Sequence, residues 1–252
     1  MKKLFLILSV AAAFTSCKKD STVTPPPSVT KNLVKATYVF DMDPPKIDEY
    51  TYDGQRRITV HKQDTRTSTF NYVSAISLVV TVRNNTDNSL YRTNECTLND
   101  NGYITKLIIK DAAGALIFTY DYTYNADGYI TKVKGTYPSG NILEFDYTIV
   151  NGNVVSARNY TGGVLSYSGE YTYDNSKINK TPGGHAGSWQ SHYLFGKRLK
   201  NLIVEYKSFN PAGTLTWHTQ TSYVMDADGY PVKETTFYVL QGKQAVDTFI
   251  YQ

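Results

Sequence analysis

Beyond residue 33 the chain alternates between apolar and polar positions with a period of two. In 118–124, Phe118, Tyr120, Tyr122 and Tyr124 fall on one side, with Thr119, Asp121 and Thr123 on the other. In 143–149, Leu143, Phe145, Tyr147 and Ile149 oppose Glu144 and Asp146; in 103–110, Tyr103, Leu107 and Ile109 oppose Lys106 and Lys110. Strict alternation over such runs describes strands with one buried face. One face is aromatic and the other charged. Asp121, Asp146 and Glu170 occupy matching positions on the charged face, where pairing with lysines across strands is the expectation.

The strands recur as a repeat. DYTYNADGYITKVKG (121–135) aligns with ECTLNDNGYITKLII (95–109) and SYVMDADGYPVKETT (222–236), with weaker copies at 49–60, 146–158 and 170–180. The first tyrosine position of each copy falls at Cys96, Tyr122, Tyr147, Tyr171 and Tyr223. The steps between these positions are 26, 25, 24 and then 52, and the last reads as two units with one degenerate copy between. Midway through the units lie further turns, DAAG (111–114), YPSG (137–140), TGG (161–163) and NPAG (210–213).

Asn or Asp at the start of a turn and Gly at its end suit a type I turn whose last residue takes positive φ and closes a hairpin with a bulge. Each unit is then two antiparallel strands and two tight turns. No connection is long enough for a parallel crossover. Two strands per unit over the folded region give roughly sixteen, more than an open twisted sheet sustains at about ten. The expectation is an all-β, up-and-down meander that rolls into a barrel. A round barrel of this size is too wide for side chains to fill. It must be flattened, filled by an inward segment, or left with a wet cavity. The charged outer face predicts a water-soluble barrel, since a charge facing lipid costs roughly 2–4 kcal/mol near the midplane.

The N-terminus carries a different pattern. Lys2 and Lys3 precede an apolar stretch, Leu4 to Phe14, too short to span a bilayer, which takes about 20 residues. Small residues Thr15 and Ser16 then lead into Cys17. This is the form of a secretory signal, and it resembles the lipobox of bacterial lipoproteins, with Phe14 where Leu is usual. The resemblance implies a signal peptide at 1–16 and lipidation of Cys17. Multiple acyl chains hold a protein firmly to a membrane, where a single chain does not. Lys18 in place of Asp implies the outer membrane, on its periplasmic or cell-surface face. Residues 17–33 form the lipidated Cys and a tether whose polar run, KKDSTVTPPPSVTK (18–31), favours an extended spacer. The single β domain is expected over 34–252.

Composition narrows the chemistry. The formal charge of +4 falls to +2 once Lys2 and Lys3 are removed, and the charges are interspersed, with no stripe that points to nucleic acid. With Cys17 lipidated, Cys96 has no intrachain partner and reads as a small core residue on the aromatic face. Tyrosine is the outlier at 22 of 252 residues, in keeping with a pleated, half-buried surface. The turns NDNG (99–102), NADG (125–128) and DADG (226–229) look like partial calcium loops but lack the distal ligands such loops need. No metal and no cofactor is expected.

The YTYN-x-DG-Y-x-x-K repeat, the C-K-K-D anchor and the chain length resemble a Bacteroidetes family of lipoproteins of unknown function with a porin-like β fold. The YTYD units are also distantly similar to the tyrosine–aspartate repeats of Rhs-like surface proteins. The first resemblance covers roughly 34–252 and implies a porin-shaped barrel, with no activity attached.

Candidate sites are few. The repeat degenerates in TPGGHAGSWQSHYLFG (181–196), an irregular segment of the kind where function collects on a rigid scaffold. His185, Trp189 and His192 from that segment, with Trp217, are the candidate ligand-binding residues. His61 and His218 fall on polar strand positions by the alternation. No catalytic constellation is evident and an enzyme is not expected. The reading is a membrane-anchored envelope lipoprotein that binds a glycan or surface polymer without catalysis. The alternative is a structural or adhesion partner that docks onto another envelope protein.

Overall fold

The computed structural model describes residues 31–181 and 193–252. These form sixteen antiparallel strands: β1 (Leu33–Phe40), β2 (Lys46–Tyr52), β3 (Ile58–Lys62), β4 (Arg66–Ser74), β5 (Ser77–Asn84), β6 (Leu90–Leu98), β7 (Ile104–Asp111), β8 (Leu116–Tyr124), β9 (Ile130–Thr136), β10 (Ile142–Val150), β11 (Asn153–Thr161), β12 (Val164–Ile178), β13 (Asn201–Phe209), β14 (Leu215–Met225), β15 (Pro231–Tyr238) and β16 (Lys243–Tyr251). Each strand pairs with its neighbours in sequence, and β1 closes on β16 to complete a barrel. Closure leaves no free edge to template pairing with other chains. The chain enters beside its own C-terminus, where Asn32 and Gln252 exchange backbone hydrogen bonds of 2.6 and 2.9 Å. We call this the entry end and the opposite one the distal end.

The turns follow from their residues. At the entry-end turns the leading Asx carboxyl or amide oxygen accepts from backbone N–H groups two and four residues on. Asn99 takes Asn101 and Tyr103, and Asp226 takes Asp228 and Tyr230, at 2.8–3.0 Å. Asp111 and Asn210 do the same at the distal end. Gly102, Gly128 and Gly229 close the entry-end turns at φ of 76°, 87° and 75°, a region an L side chain resists. Past each of these turns the register slips by one residue. Thr105, Thr131 and Val232 are the extra residues. Such bulges sharpen twist and re-aim the side chains that follow.

Re-aiming changes which residues line the interior. The alternation predicts Tyr103 on the core face; with Thr105 bulged, Ile104 takes the fully buried place instead, in line with Leu107 and Ile109. The core gathers Ile58, Phe70, Leu78, Val80, Cys96, Ile104, Leu107 and Phe118, with Tyr120 and Tyr122 packed against it. Burial pushes the Cys96 thiol up to about 12. An inward segment packs into the interior near the entry end. After β12 a 3₁₀ turn (Tyr193–Phe195) places Leu194 and Phe195 in the core, with the Phe195 ring 5.2 Å from Tyr122. Lys197 N–H donates to the carbonyl of Gly128 and Lys200 N–H to that of Gly152, so this segment is stitched to the entry-end turns.

That segment also corrects the repeat count. Cys96, Tyr122, Tyr147, Tyr171 and Tyr223 lie on β6, β8, β10, β12 and β14. The step of 52 is therefore one unit carrying a long connection, with no degenerate copy inside it. On the outer wall, Lys106, Asp121, Lys134 and Glu144 stand in one row of alternating sign across β7–β10. Lys132 reaches Glu144 at 3.0 Å and Asp146 at 3.7 Å. Glu170 faces Lys207 in register, but the Lys207 amine pairs with Glu205 at 3.0 Å.

Candidate functional site

Trp217 stands on the inner-face side of β14 at the distal end, where it is 39% exposed. Its ring meets Tyr238 of β15 edge-on at 5.3 Å, and Tyr238 meets Phe40 of β1 edge-on at 5.2 Å. Small Ala245 of β16 sits between Phe40 and Thr236 in the register and leaves room for that contact. Phe40 is 37% exposed and carries the Lys243 amine 5.4 Å from its ring centre. Three rings from three nearby strands thus form an aromatic arc, with Phe40 and Trp217 exposed and Tyr238 half-buried between them. Each edge-to-face contact covers one ring face, and the exposed ring surface of Phe40 and Trp217 at the barrel end is left for contact with a partner.

Further inside lies a polar seam that linear alternation does not reveal. His61 is fully buried, with Nε2 2.9 Å from Asp48 Oδ2 and its ring stacked on Tyr50 at 4.6 Å. Asp48 also accepts from the Tyr50 hydroxyl at 3.3 Å and from the Gln63 amide. The expectation of a polar, outward His61 is overturned. The bulge at Thr59, between Ile58 and Val60 in the β2–β3 register, swings His61 to the inner face. Only the register change at a bulge signals this. A ring sealed from solvent cannot meet a dissolved substrate, and its pairing with Asp48 serves the fold. His218 does face outward, with Nε2 2.9 Å from Glu205 Oε1.

Beside this seam Glu234 of β15 and Asp247 of β16 face each other across the ladder, with Tyr38 of β1 next in the row. Burial, then the neighbouring Asp247 charge, pushes the Glu234 carboxyl up to about 7. Burial pushes Asp247 up to about 6. Desolvation also raises the Tyr38 and Tyr50 hydroxyls well above the usual tyrosine range.

Of the residues singled out in sequence, the structure places Trp217 in the distal arc. Cys17, His185, Trp189 and His192 lie outside the described residues. Phe40 and Tyr238, the partners of Trp217, were missed: both end their strands, where alternation marks only a buried face. No group of three or more His, Cys, Asp or Glu residues that could hold a metal occurs among the described residues.

No family model and no curated protein matches this chain. Solved structures do, among them two porin-like proteins. One is a porin-like protein from Bacteroides uniformis ATCC 8492, 16% identical, with a TM-score of 0.67 over 87% of this chain and 96% of the other. The other is a porin-like protein from Bacteroides vulgatus ATCC 8482, 13% identical, with a TM-score of 0.63 over 87% of this chain and 98% of the other. At such identities the likeness concerns the fold: a porin-like, closed all-β barrel.

Proposed function

We propose that this chain is an outer-membrane lipoprotein, anchored through Cys17, whose barrel binds a glycan or surface polymer without catalysis. The observation that carries the binding part is the aromatic arc of Phe40, Tyr238 and Trp217 at the distal end. Flat aromatic faces offer area to the C–H faces of sugars at little entropic cost. The charged outer row supports a barrel that stands in water, because charges such as Lys106 and Lys134 would be costly against lipid. The first described strand starts at the end of the barrel opposite the arc.

Affinity electrophoresis of the soluble domain through gels containing polysaccharides tests the reading. Retardation by at least one polymer, lost in Trp217→Ala with thermal unfolding unchanged, is the expected result. Migration unaffected by a broad panel of polymers would overturn it. The anchor is tested separately: labelled palmitate should enter the full chain and not the Cys17→Ser variant.

A further inference from the structure

The distal end has a second inner surface, on the strands across from the aromatic arc. Arg66 opens β4 on the same face as buried Ser68 and Phe70, and its guanidinium lies 3.5 Å over the ring of Tyr91. Tyr91 is the extra residue of a bulge on β6, which brings it to the rim. Arg92 follows, half-buried on the inner face, 5.8 Å from the same ring. Its Nε is sealed from solvent and makes no hydrogen bond. Two residues on, Asn94 is fully buried between Val80 and Ile109, and neither its amide nitrogen nor its amide oxygen is bonded.

No carboxylate among the described residues lies within ion-pair distance of Arg66 or Arg92. Asp111 is the register partner of Arg92, but it makes no ion pair with it; its Oδ1 accepts from the N–H groups of Ala113 and Ala115 in its own turn. Two guanidiniums therefore share one tyrosine ring with no counter-charge between them. Desolvation and the Arg66 charge both lower the Arg92 pKa, as expected for like charges held together. Unpaired buried donors and an uncompensated cation cost stability, and real proteins break such rules chiefly at functional sites.

We infer that Arg66, Tyr91 and Arg92 form an oxyanion subsite on the inner wall at the distal end, one that takes the carboxylate or sulfate of an acidic sugar. The planar forks of Arg66 and Arg92 suit paired oxygens, and the Tyr91 ring holds the two guanidiniums side by side. This rests on the carbohydrate reading above and narrows the polymer to an acidic one.

The test compares gels containing polygalacturonate, chondroitin sulfate or neutral dextran, with wild type, Arg66→Gln, Arg66→Lys and Trp217→Ala, all checked for unaltered thermal unfolding. Expected is retardation by an acidic polymer, weakened about tenfold or more in Arg66→Gln, partly restored in Arg66→Lys, and reduced by added salt. Neutral dextran binding as well as the acidic polymers, unchanged in Arg66→Gln, would overturn the oxyanion subsite and leave the carbohydrate reading standing. A titration with inorganic sulfate followed by tyrosine fluorescence separates the remaining case. Sulfate bound by wild type and not by Arg66→Gln, with no polymer retained, keeps the anion site and removes the sugar. Neither sulfate nor acidic polymer bound overturns the inference.

Discussion

Single tyrosine hydroxyls mend the ladder where its bulges break it. Tyr52, Tyr124, Tyr173 and Tyr223 donate to the carbonyls of Leu33, Ile104, Val154 and Ile203 at 2.6–2.8 Å. Each acceptor immediately precedes an extra residue, Val34, Thr105, Val155 or Val204. A bulge turns a carbonyl out of register with its partner strand, and a buried acceptor left alone costs about 1–3 kcal/mol. In each case the hydroxyl comes from the next strand along, so the repair also ties one hairpin to its successor. Tyr124→Phe keeps the ring and removes only this donor. It should lower stability by about 1–2 kcal/mol in urea unfolding followed by tyrosine fluorescence. A change of no more than a few tenths would mean that water satisfies the Ile104 carbonyl just as well.

At the scale of elements, much was legible because the signals are local. An Asx–Gly turn needs only its own side-chain oxygen and one left-handed residue, so NADG and DADG could be read directly. Strand number followed from the repeat spacing. Features set by contacts between distant residues were not legible. Nothing in YLFG announces that Leu194 and Phe195 will cork the barrel, because the pocket they fill is built from Tyr122, Tyr124 and Gly128, some 70 residues away in the chain. His61 was misplaced for a related reason: a one-residue slip at Thr59 reverses the face of everything after it. The distal site was half legible, with Trp217 visible as a candidate and its ring partners hidden on other strands. The corking segment makes its own prediction. Leu194→Ala removes a fully buried side chain from the core and should cost about 2–5 kcal/mol. If the segment instead lay loosely over the barrel end, the loss in denaturant unfolding would fall below about 1 kcal/mol.

For the molecule as a whole, the interior is divided by charge: arginines without counter-ions on β4 and β6, and raised carboxyls on β15 and β16. The raised carboxyls make folding depend on pH in a direction opposite to that of most acidic groups. Glu234 rises from an ordinary value of 4.5 to about 7, and Asp247 from 3.8 to about 6. Between those values the folded barrel holds protons that the unfolded chain has already released, and a state that binds more protons loses ground as pH rises. Their contribution is therefore fully present below about pH 4 and is lost as pH climbs through 6 and 7. Groups shifted the other way, such as Asp174, lowered to about 2 by Lys177 and Ser176, lie at the surface and act only in acid below about pH 4. From pH 5 to pH 8 the buried pair should dominate. At about 1.4 kcal/mol per pKa unit, Glu234 alone accounts for no more than about 3.5 kcal/mol, less whatever water reaches it. The urea midpoint of the wild type should fall from pH 5 to pH 8, and Glu234→Gln should flatten that slope and be the more stable protein at pH 8. Thr236 donates to Glu234 at 3.3 Å and can serve the amide oxygen as well as the carboxylate, so the substitution leaves that hydroxyl with an acceptor. A wild-type midpoint that climbs over the same range, in parallel with that of Glu234→Gln, would place these carboxyls in contact with water and remove the charge division from the interior.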